Sequence, residues 1–436
     1  MSVTGPCRKC AALSPGWRQN GRMDDDRQLG ERIAQNERLR PVLRAAPRAA
    51  GEQGGVYLVG GTVRDLLLGE PGFDVDLAVE GDGQAFARAL AAELGGRVQP
   101  HDAFGTAVVE YGDGERVDVV TARRERYAAP AALPTVEPST IEDDLFRRDF
   151  TINAMAAALA GLETGSLLDP FEGRRDLEAK TIRVLHDRSF VDDPTRIFRA
   201  LRYASRYGFE LDEHTAALAR EAIEAGLVGR LSPARLRDEL VLLLDEPRAD
   251  EAFALLEAFG ADRAIHPDLA ADVAARDLFR RLVALRDRYA LAIPSWRLGL
   301  AALARTMQEP RAWLDGLKLR RQDAQAIEAA VTAGPRLADE VREQRDPAEV
   351  VALAEPQPPD APLFALALAD VPALHDYFER LRNVRLEVDG ADLAELGLAE
   401  SPRVGEVLSE LRRRKLNGEL DGRDSELAAA RELIGQ

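Results

Sequence analysis

The sequence of 436 residues has only two cysteines, Cys7 and Cys10, few aromatic residues and no long apolar run. Two cysteines cannot form the disulfide framework of a small secreted protein, and a membrane helix would need about 18 consecutive apolar residues. The first residues also lack the apolar stretch of a signal peptide. We therefore expect a cytoplasmic protein that does not associate with membranes.

Basic residues are in deficit: 58 lysines and arginines face 75 aspartates and glutamates, which gives a net charge of −17. A protein that coats nucleic acid without sequence preference needs an excess of cations, because affinity for phosphates depends on them. The deficit argues against such a protein but not against a local basic cleft. The positions of the arginines are therefore more informative than their total.

Residues 1–45 carry no strong secondary-structure pattern, and we predict a flexible N-terminal extension there. Cys7 and Cys10 have the spacing of half a zinc site, but no second cysteine pair is present to complete a tetrahedron. Two reduced thiols on a flexible tail are therefore the expected interpretation.

From residue 56 onward, short apolar runs alternate with helical patterns. The predicted order is strand 56–59, helix 62–68, strand 73–79, helix 84–94, and strands 106–111 and 116–122. Three prolines predict an irregular loop over 124–140, and the next apolar stretch predicts a helix over 143–159. The pattern indicates a small mixed sheet with helices.

From about residue 192 the chain is predicted to be almost entirely helical. Ser232 followed by Pro233 is typical of a helix start, and the proline-rich segment 355–359 predicts a linker. An apolar stripe over 404–411 predicts a late helix that ends in the basic run Arg412-Arg413-Arg414-Lys415. No internal repeat is evident.

Three aspartates fall on the predicted strands. Asp74 and Asp76 alternate onto one face of a strand, where two carboxylates lie close enough to share divalent cations. Asp118 lies in a neighbouring strand, so it could add a metal ligand or help to deprotonate an attacking hydroxyl. The alternatives are a solvated strand face for the pair and a surface salt bridge for Asp118.

Two further segments carry groups suited to phosphate and sugar. Gly60 and Gly61 stand at a strand-to-helix turn, where backbone N–H groups can approach an anion, and Arg64 follows. Arg148 and Asp149 precede a buried apolar stretch and could hydrogen-bond a ribose hydroxyl or a phosphate. A structural glycine turn and a surface ion-pair cluster are the alternatives.

A helix over 192–206 carries arginines on one stripe, at positions 196, 199, 202 and 206, whereas Ile197, Leu201 and Ala204 face a core. Clustered arginines repel one another unless an anion is present, and a triphosphate is a fitting one. A solvated helix face is the alternative. Asp193 and Arg196 pair an acceptor with a donor fork, so together they can read the Watson–Crick edge of a base.

These segments occur in a specific order: LVGGTVRDLLLG, FDVDLAVEG, RRDFTINAMA, LLDPFEGRRDL and DDPTRIFRALRYASRYGF. In this respect the sequence resembles the class II tRNA nucleotidyltransferase and bacterial poly(A) polymerase family, within the polymerase-β-like superfamily. The resemblance runs from about residue 56 to the end and is densest up to residue 244. It implies an α+β fold: a nucleotidyltransferase head over 46–188, a helical neck over 189–265, and a helical body and tail over 266–436.

The resemblance also implies roles for individual residues. Asp74 and Asp76 would bind Mg²⁺, Gly61 and Arg64 would contact the nucleotide phosphates, and Arg148 would touch the sugar–phosphate region. Asp193 and Arg196 would form the protein template that accepts CTP or ATP, with Arg199 and Arg202 assisting. The family template begins with Glu, whereas this chain has Asp192.

The implied activity is template-independent addition of CCA, or of its terminal A, to the 3′ end of tRNA, with release of pyrophosphate. A-only addition, poly(A) synthesis and a non-catalytic RNA-binding protein on the same scaffold are the alternatives. The loop 124–140 argues against a CC-only enzyme, because in the family such a loop assists the switch to ATP. The helical C-terminal half would grip tRNA, with Arg412–Lys415 as a candidate patch unless the run only complements its helix dipole. No protein partner is indicated.

Overall fold

The computed structural model describes residues 23–51, 55–70, 74–101, 105–160, 166–344 and 346–435. The chain divides into two compact units, residues 1–231 and residues 232–436. Cys7 and Cys10 lie outside the described residues. Among the described residues, no helix is long and apolar enough to cross a lipid bilayer.

The first unit is built around a mixed sheet that has seven strands in the described residues. The strands of this unit are β1 (Val56–Val59), β2 (Val75–Val79), β3 (Arg97–His101), β4 (Thr106–Tyr111), β5 (Glu115–Thr121), β6 (Arg123–Arg126), β7 (Thr135–Pro138), β8 (Ala156–Ala160), β9 (Leu167–Leu168), β10 (Thr181–Ile182) and β11 (Glu210–Leu211). The strand order of the seven-stranded sheet is β3-β4-β5-β2-β1-β8-β9, and within it only β2 and β5 run parallel.

The helices of the first unit begin before the sheet and continue after it. They are α1 (Met23–Gln35), α2 (Leu39–Ala50), α3 (Gly61–Leu68), α4 (Gly83–Leu94), α5 (Ile141–Phe146), α6 (Gly173–Glu178), α7 (Ser189–Asp192), α8 (Thr195–Tyr207) and α9 (Glu213–Glu224). The strands and helices predicted over 56–122 are all present, but the prediction missed β3, which lies between α4 and β4 and forms one end of the sheet order. Asp82 caps α4 by accepting a hydrogen bond from the Ala85 N–H at 2.9 Å, and Gly95 ends it with a left-handed φ of 67°.

Part of the predicted flexible extension is helical. The segment 23–50 forms α1 and α2, whose Ile33, Leu39 and Val42 side chains are buried, and α2 packs on α4. The prediction for residues 1–45 is therefore wrong over 23–45. A short helical hairpin has no stability alone, and it forms here because it buries an apolar face against the sheet layer.

Two further predictions differ from the structure. The expected helix over 143–159 is instead α5, a single 3₁₀ turn and the strand β8, which pairs antiparallel with β1. Alanine favours helix, but here the run Ala156–Ala160 completes the sheet. The expected irregular loop over 124–140 instead contains most of β6 and all of β7, which pair as an antiparallel ribbon. The prolines are compatible with this ribbon because they lie at its edge or between the two strands.

The second unit is helical throughout its described residues. Its helices are α10 (Pro233–Leu244), α11 (Ala249–Phe259), α12 (Ala261–Ile265), α13 (Val273–Arg288), α14 (Ser295–Leu303), α15 (Pro310–Gly316), α16 (Arg321–Thr332), α17 (Gly334–Glu343), α18 (Pro347–Ala354), α19 (Asp360–Ala369), α20 (Pro372–Glu379), α21 (Gly390–Glu395), α22 (Pro402–Leu416) and α23 (Gly422–Gly435). The predicted helix start at Ser232 and the predicted connection over 355–359 are confirmed. The α+β class is therefore confirmed, while the boundaries between neck, body and tail stay predictions.

Candidate functional site

The turn between β1 and α3 is shaped by a glycine. Gly60 has a φ of 62°, and a Cβ at this position would lie 2.2 Å from Nη1 of Arg148. Only glycine accepts both the left-handed backbone and the close guanidinium. Gly61 begins α3 and lines the same cavity as Arg148, so the start of that helix, where an anion is favoured, lies at the cavity wall.

The aspartate strand is tied to this turn by Thr62, a residue that sequence reasoning missed. The Thr62 hydroxyl donates to the Asp74 carbonyl oxygen at 2.7 Å and accepts from the Asp76 N–H at 2.9 Å. Thr62 is fully buried. The carboxylate strand is thereby fixed against the first turn of α3.

Asp76 lines the cavity, whereas Asp74 and Asp118 are exposed and are not among its lining residues. In the parallel pairing of β2 with β5, Asp76 stands directly beside Asp118. Burial, with the added charges of Asp118 and Asp74, raises the pKa of Asp76 to about 6, although Arg148 opposes the shift. The three carboxylates therefore form one repelling cluster that a cation would relieve.

Arg64 is held in place from every side. Its guanidinium makes two bonds to the Asp65 carboxylate, at 2.8 and 2.9 Å, and lies 5.2 Å and 5.0 Å from the ring centroids of Tyr203 and Tyr207. A further bond of 2.6 Å reaches Oδ1 of Asn153. Burial alone would lower the pKa of Arg64, but Asp65 and the tyrosines hold it above its ordinary value. The site thus keeps a fixed positive charge beside Gly61.

Asp144 orients two arginines of the cavity wall. Its fully buried carboxylate accepts bonds from Arg147 at 2.7 Å and from Arg148 at 2.9 Å. Burial would raise the pKa of Asp144, but the two guanidinium groups outweigh it and hold the pKa below its usual range. Asp144 was not predicted from the sequence, because an aspartate on a short helix carries no signal of this role.

Asp149 connects the head to the arginine-bearing helix α8. Its carboxylate accepts two bonds from Arg199, at 2.8 and 2.6 Å, and one from Nδ2 of Asn153 at 2.9 Å. Burial opposes ionisation, but Arg199 and Asn153 lower the pKa of Asp149 to about 2. Asn153 therefore joins Arg64 to Asp149, so the phosphate-facing and helix-facing sides of the cavity share one hydrogen-bonded network.

The predicted template residues lie where α7 gives way to α8, at Pro194. The Asp193 carboxylate accepts bonds from the Thr195 N–H and hydroxyl, at 3.0 and 2.6 Å. Arg196 is buried, and its guanidinium donates to Oγ of Ser189 at 2.8 Å and to the Arg147 carbonyl oxygen at 2.7 Å. These bonds fix the orientation of both side chains at the cavity wall.

The ribbon β6–β7 contributes two residues that were not predicted. Glu125 accepts bonds from Arg123 and Arg147, both at 3.1 Å, and the Tyr127 hydroxyl donates to it at 2.9 Å. Burial and the nearby Glu125 raise the pKa of Tyr127, so its phenol keeps its proton. The prolines of 124–140 led to the prediction of an irregular loop, so these two cavity-lining residues were not identified from the sequence.

These groups surround one cavity of about 440 Å³. Seven of the ten predicted site residues line it: Gly61, Arg64, Asp76, Arg148, Asp193, Arg196 and Arg199. Asp74, Asp118 and Arg202 do not, and the Arg202 guanidinium lies 5.1 Å from the Tyr203 ring centroid. The predicted stripe on α8 is therefore divided, with only its first two arginines at the cavity.

Among the described residues, no three His, Cys, Asp or Glu side chains are arranged to hold a metal ion by themselves. Mg²⁺ needs no such cage, since it is commonly held by one or two carboxylates together with substrate phosphates and water. The carboxylate cluster at Asp76, with its raised pKa, fits a divalent cation of that kind.

The basic run at the end of α22 is neutralised by acids within its own unit. Arg412 makes a two-bond pair with Glu355, and Arg413 makes one with Glu410. Arg414 also contacts Glu410, and Lys415 contacts the buried Glu426 at 2.5 Å. The structure therefore favours a structural role over the predicted tRNA contact.

Two family models match the chain. The one described as poly A polymerase head domain matches residues 56–183, and the one described as probable RNA and SrmB-binding site of polymerase A matches residues 208–273. An A-adding tRNA nucleotidyltransferase of Halalkalibacterium halodurans is 34% identical to this chain, over 92% of this chain and 93% of its own length. The chain belongs to the tRNA nucleotidyltransferase and poly(A) polymerase family.

Other members of the tRNA nucleotidyltransferase family are similarly related. An A-adding enzyme of Geobacter sulfurreducens is 36% identical over 86% of this chain, which spans only 44% of that relative's length. A solved CCA-adding enzyme, in an apo form, superimposes with a TM-score of 0.80 at 31% identity, covering 94% of this chain and 98% of the other. A Thermotoga maritima CCA-adding enzyme complexed with tRNA gives 0.76 at 29% identity, covering 93% and 98%. The family predicted from the motifs is confirmed.

Proposed function

We propose that this protein adds nucleotides to the 3′-hydroxyl of tRNA without an RNA template. The nucleotide donor is ATP if only the terminal A is added, and both CTP and ATP if the complete CCA is added. The observation that carries the proposal is the single cavity in which a carboxylate, a fixed arginine cradle and the Asp193–Arg196 pair meet. The carboxylate suits a cation, the cradle a triphosphate and the pair a base edge. Together they are the parts required for phosphoryl transfer to a selected nucleotide.

Positioning and charge carry most of the catalytic work in such a reaction. Arg64, Arg148 and Arg199 bind and orient the triphosphate, and Asp193 with Arg196 hydrogen-bonds the base. The 3′-hydroxyl then attacks the α-phosphate, the bond to the β-phosphate breaks, and pyrophosphate and a proton leave. Asp76 and Asp74 would hold Mg²⁺ beside the triphosphate, and the chemistry that the ion would supply is charge stabilisation of the attacking and leaving oxygens.

The extent of addition has two candidate forms. Three relatives that align over 83–92% of this chain are A-adding enzymes, which favours addition of the terminal A alone. Solved CCA-adding enzymes at 30–31% identity, including complexes with CTP and with ATP, support complete CCA addition as the second form.

One experiment separates these forms. Purified protein is offered one tRNA that lacks CCA and another that lacks only the final A, with labelled CTP and ATP supplied separately and together. We expect incorporation of one A into the second tRNA. Incorporation of C into the first tRNA would establish the CCA-adding form, long A tails would indicate a poly(A) polymerase, and no incorporation would contradict the proposal.

A further inference from the structure

A second basic surface lies in the helical unit, at the turn between α15 and α16. Lys318, Arg320 and Arg321 are all exposed there. Within the described part of the chain, none of these three side chains forms an ion pair, in contrast to the basic run of α22. We refer to residues 318–321 as the basic turn.

The acids nearest in sequence are already engaged by other arginines. Asp315 is held by Arg311 at 2.9 Å, and Asp323 is held by Arg297 at 3.2 Å. The three cations of the basic turn therefore repel one another without a compensating carboxylate bonded to them. In a chain with a net charge of −17, such a local surplus is a distinct electrostatic feature.

The basic turn is held in one conformation by hydrogen bonds. The Lys318 N–H donates to the Asp315 carbonyl oxygen at 3.0 Å, and the Arg320 carbonyl oxygen accepts from the Ala324 N–H at 3.0 Å. Nη1 of Arg237 donates to the Lys318 carbonyl oxygen at 2.9 Å. Arg237 lies on α10, inside the segment that matches the probable RNA-binding model, so the basic turn extends that segment with three cations.

We propose that the basic turn binds the phosphate backbone of the tRNA. This proposal rests on the proposed function and identifies which surface of the helical unit holds the RNA. Exposed lysines and arginines on a fixed backbone supply the sequence-independent contacts that position a protein on a nucleic acid. Each phosphate that they neutralise releases condensed counterions, so the contacts are visible in the salt dependence of binding.

The test uses the full chain and a tRNA transcript that lacks its final A. The variant Lys318→Gln/Arg320→Gln/Arg321→Gln removes the three cations. A matched control, Arg336→Gln/Arg342→Gln/Arg380→Gln, removes three exposed arginines of the same unit that are each paired to an acid four or three residues away. The dissociation constant for tRNA is measured between about 50 and 200 mM salt, and ATP binding is measured without tRNA.

We expect the basic-turn variant to bind tRNA at least tenfold more weakly than wild type, with the slope of log affinity against log salt reduced by about two to three. ATP binding and the unfolding temperature should not change, because the three residues are exposed and are not among the residues that line the cavity. The single reversal Lys318→Glu should weaken tRNA binding in the same direction.

Equal tRNA affinity and equal salt slope in the two triple variants would overturn the proposal. The same result is expected if the basic turn binds an acidic protein instead of tRNA. That result is distinct from failure of the proposed function. If the function is wrong, wild-type protein itself extends no tRNA. If only the basic turn is wrongly assigned, wild type binds and extends tRNA and the basic-turn variant does so equally well.

Discussion

The arginines of the cavity and the basic run of α22 differ in how their charge is balanced. In the cavity, Arg64, Arg148 and Arg199 are each bonded to one buried carboxylate and still line an open space of about 440 Å³. In the run, Arg412 and Arg413 fold back onto surface glutamates of the same unit. The same residue type therefore serves ligand binding in one region and local structure in the other.

This difference shows that a count of basic residues in a segment does not predict an anion site. What separates the cavity arginines from Arg412 and Arg413 is whether the supporting acid is buried, as Asp144 is, or partly exposed, as Glu355 and Glu410 are. A buried acid orients an arginine toward a ligand, whereas an exposed acid competes with the ligand. Changes at the cavity should therefore alter catalysis, and changes at α22 should not.

The largest effect is expected for Asp76→Asn. Loss of this carboxylate removes the group best placed to hold a divalent cation beside the triphosphate, which is worth several kcal/mol in the transition state. We expect incorporation of A into tRNA to slow by about a thousandfold or more. Single-turnover assays with saturating tRNA measure this rate.

The control for that variant is Asp113→Asn, in the exposed turn between β4 and β5, which should retain wild-type activity. The fold itself should not weaken in Asp76→Asn, because burial and the neighbouring acids already disfavour the charged form of Asp76. A rate within tenfold of wild type would remove Asp76 from the mechanism.

An intermediate effect is expected for Asp144→Asn, which weakens the support of Arg147 and Arg148. We expect the KM for ATP to rise by about 10- to 100-fold, because the arginines lose their fixed orientation and a buried pair loses its negative partner. Stability should fall by about 3 kcal/mol for the same reason. Steady-state kinetics and thermal unfolding report the two quantities.

The comparison variant is Glu142→Gln on the same helix α5, which leaves the Asp144 network intact. It should change neither KM nor the unfolding temperature appreciably. If Asp144→Asn raises the KM no more than Glu142→Gln does, Asp144 supports the fold but not the arrangement of the cavity arginines.

The sequence predicts the parts of the site that lie on regular, locally specified elements. The β1–α3 turn, the aspartate strand and α8 follow from glycine placement and apolar periodicity, and seven predicted residues meet in the cavity as a result. Local patterns also predict the strands and helices over 56–122, with the exception of the strand β3. These features depend on contacts between residues that are close in sequence.

Features that depend on distant partners could not be predicted in this way. The alanine run of β8 becomes a strand only because β1 offers an open edge, and α1 and α2 become helices because they cover the sheet layer. Asp144, Asn153 and Tyr127 gain their roles from arginines brought in by other elements. The division of the α8 stripe likewise follows from where the cavity lies and not from helical spacing.

The smallest effect is expected for Arg412→Gln/Arg413→Gln at the end of α22. Both arginines are partly exposed and pair with partly exposed glutamates, and such pairs contribute about 0–1 kcal/mol of stability. Because their charge is already balanced, we expect tRNA affinity to stay within about twofold of wild type and its salt slope to stay unchanged. The same salt titration used for the basic turn measures both. A slope reduced by about two would mean that the glutamates release these arginines to phosphates when tRNA binds. The two regions would then differ in the free protein but not in the tRNA-bound protein.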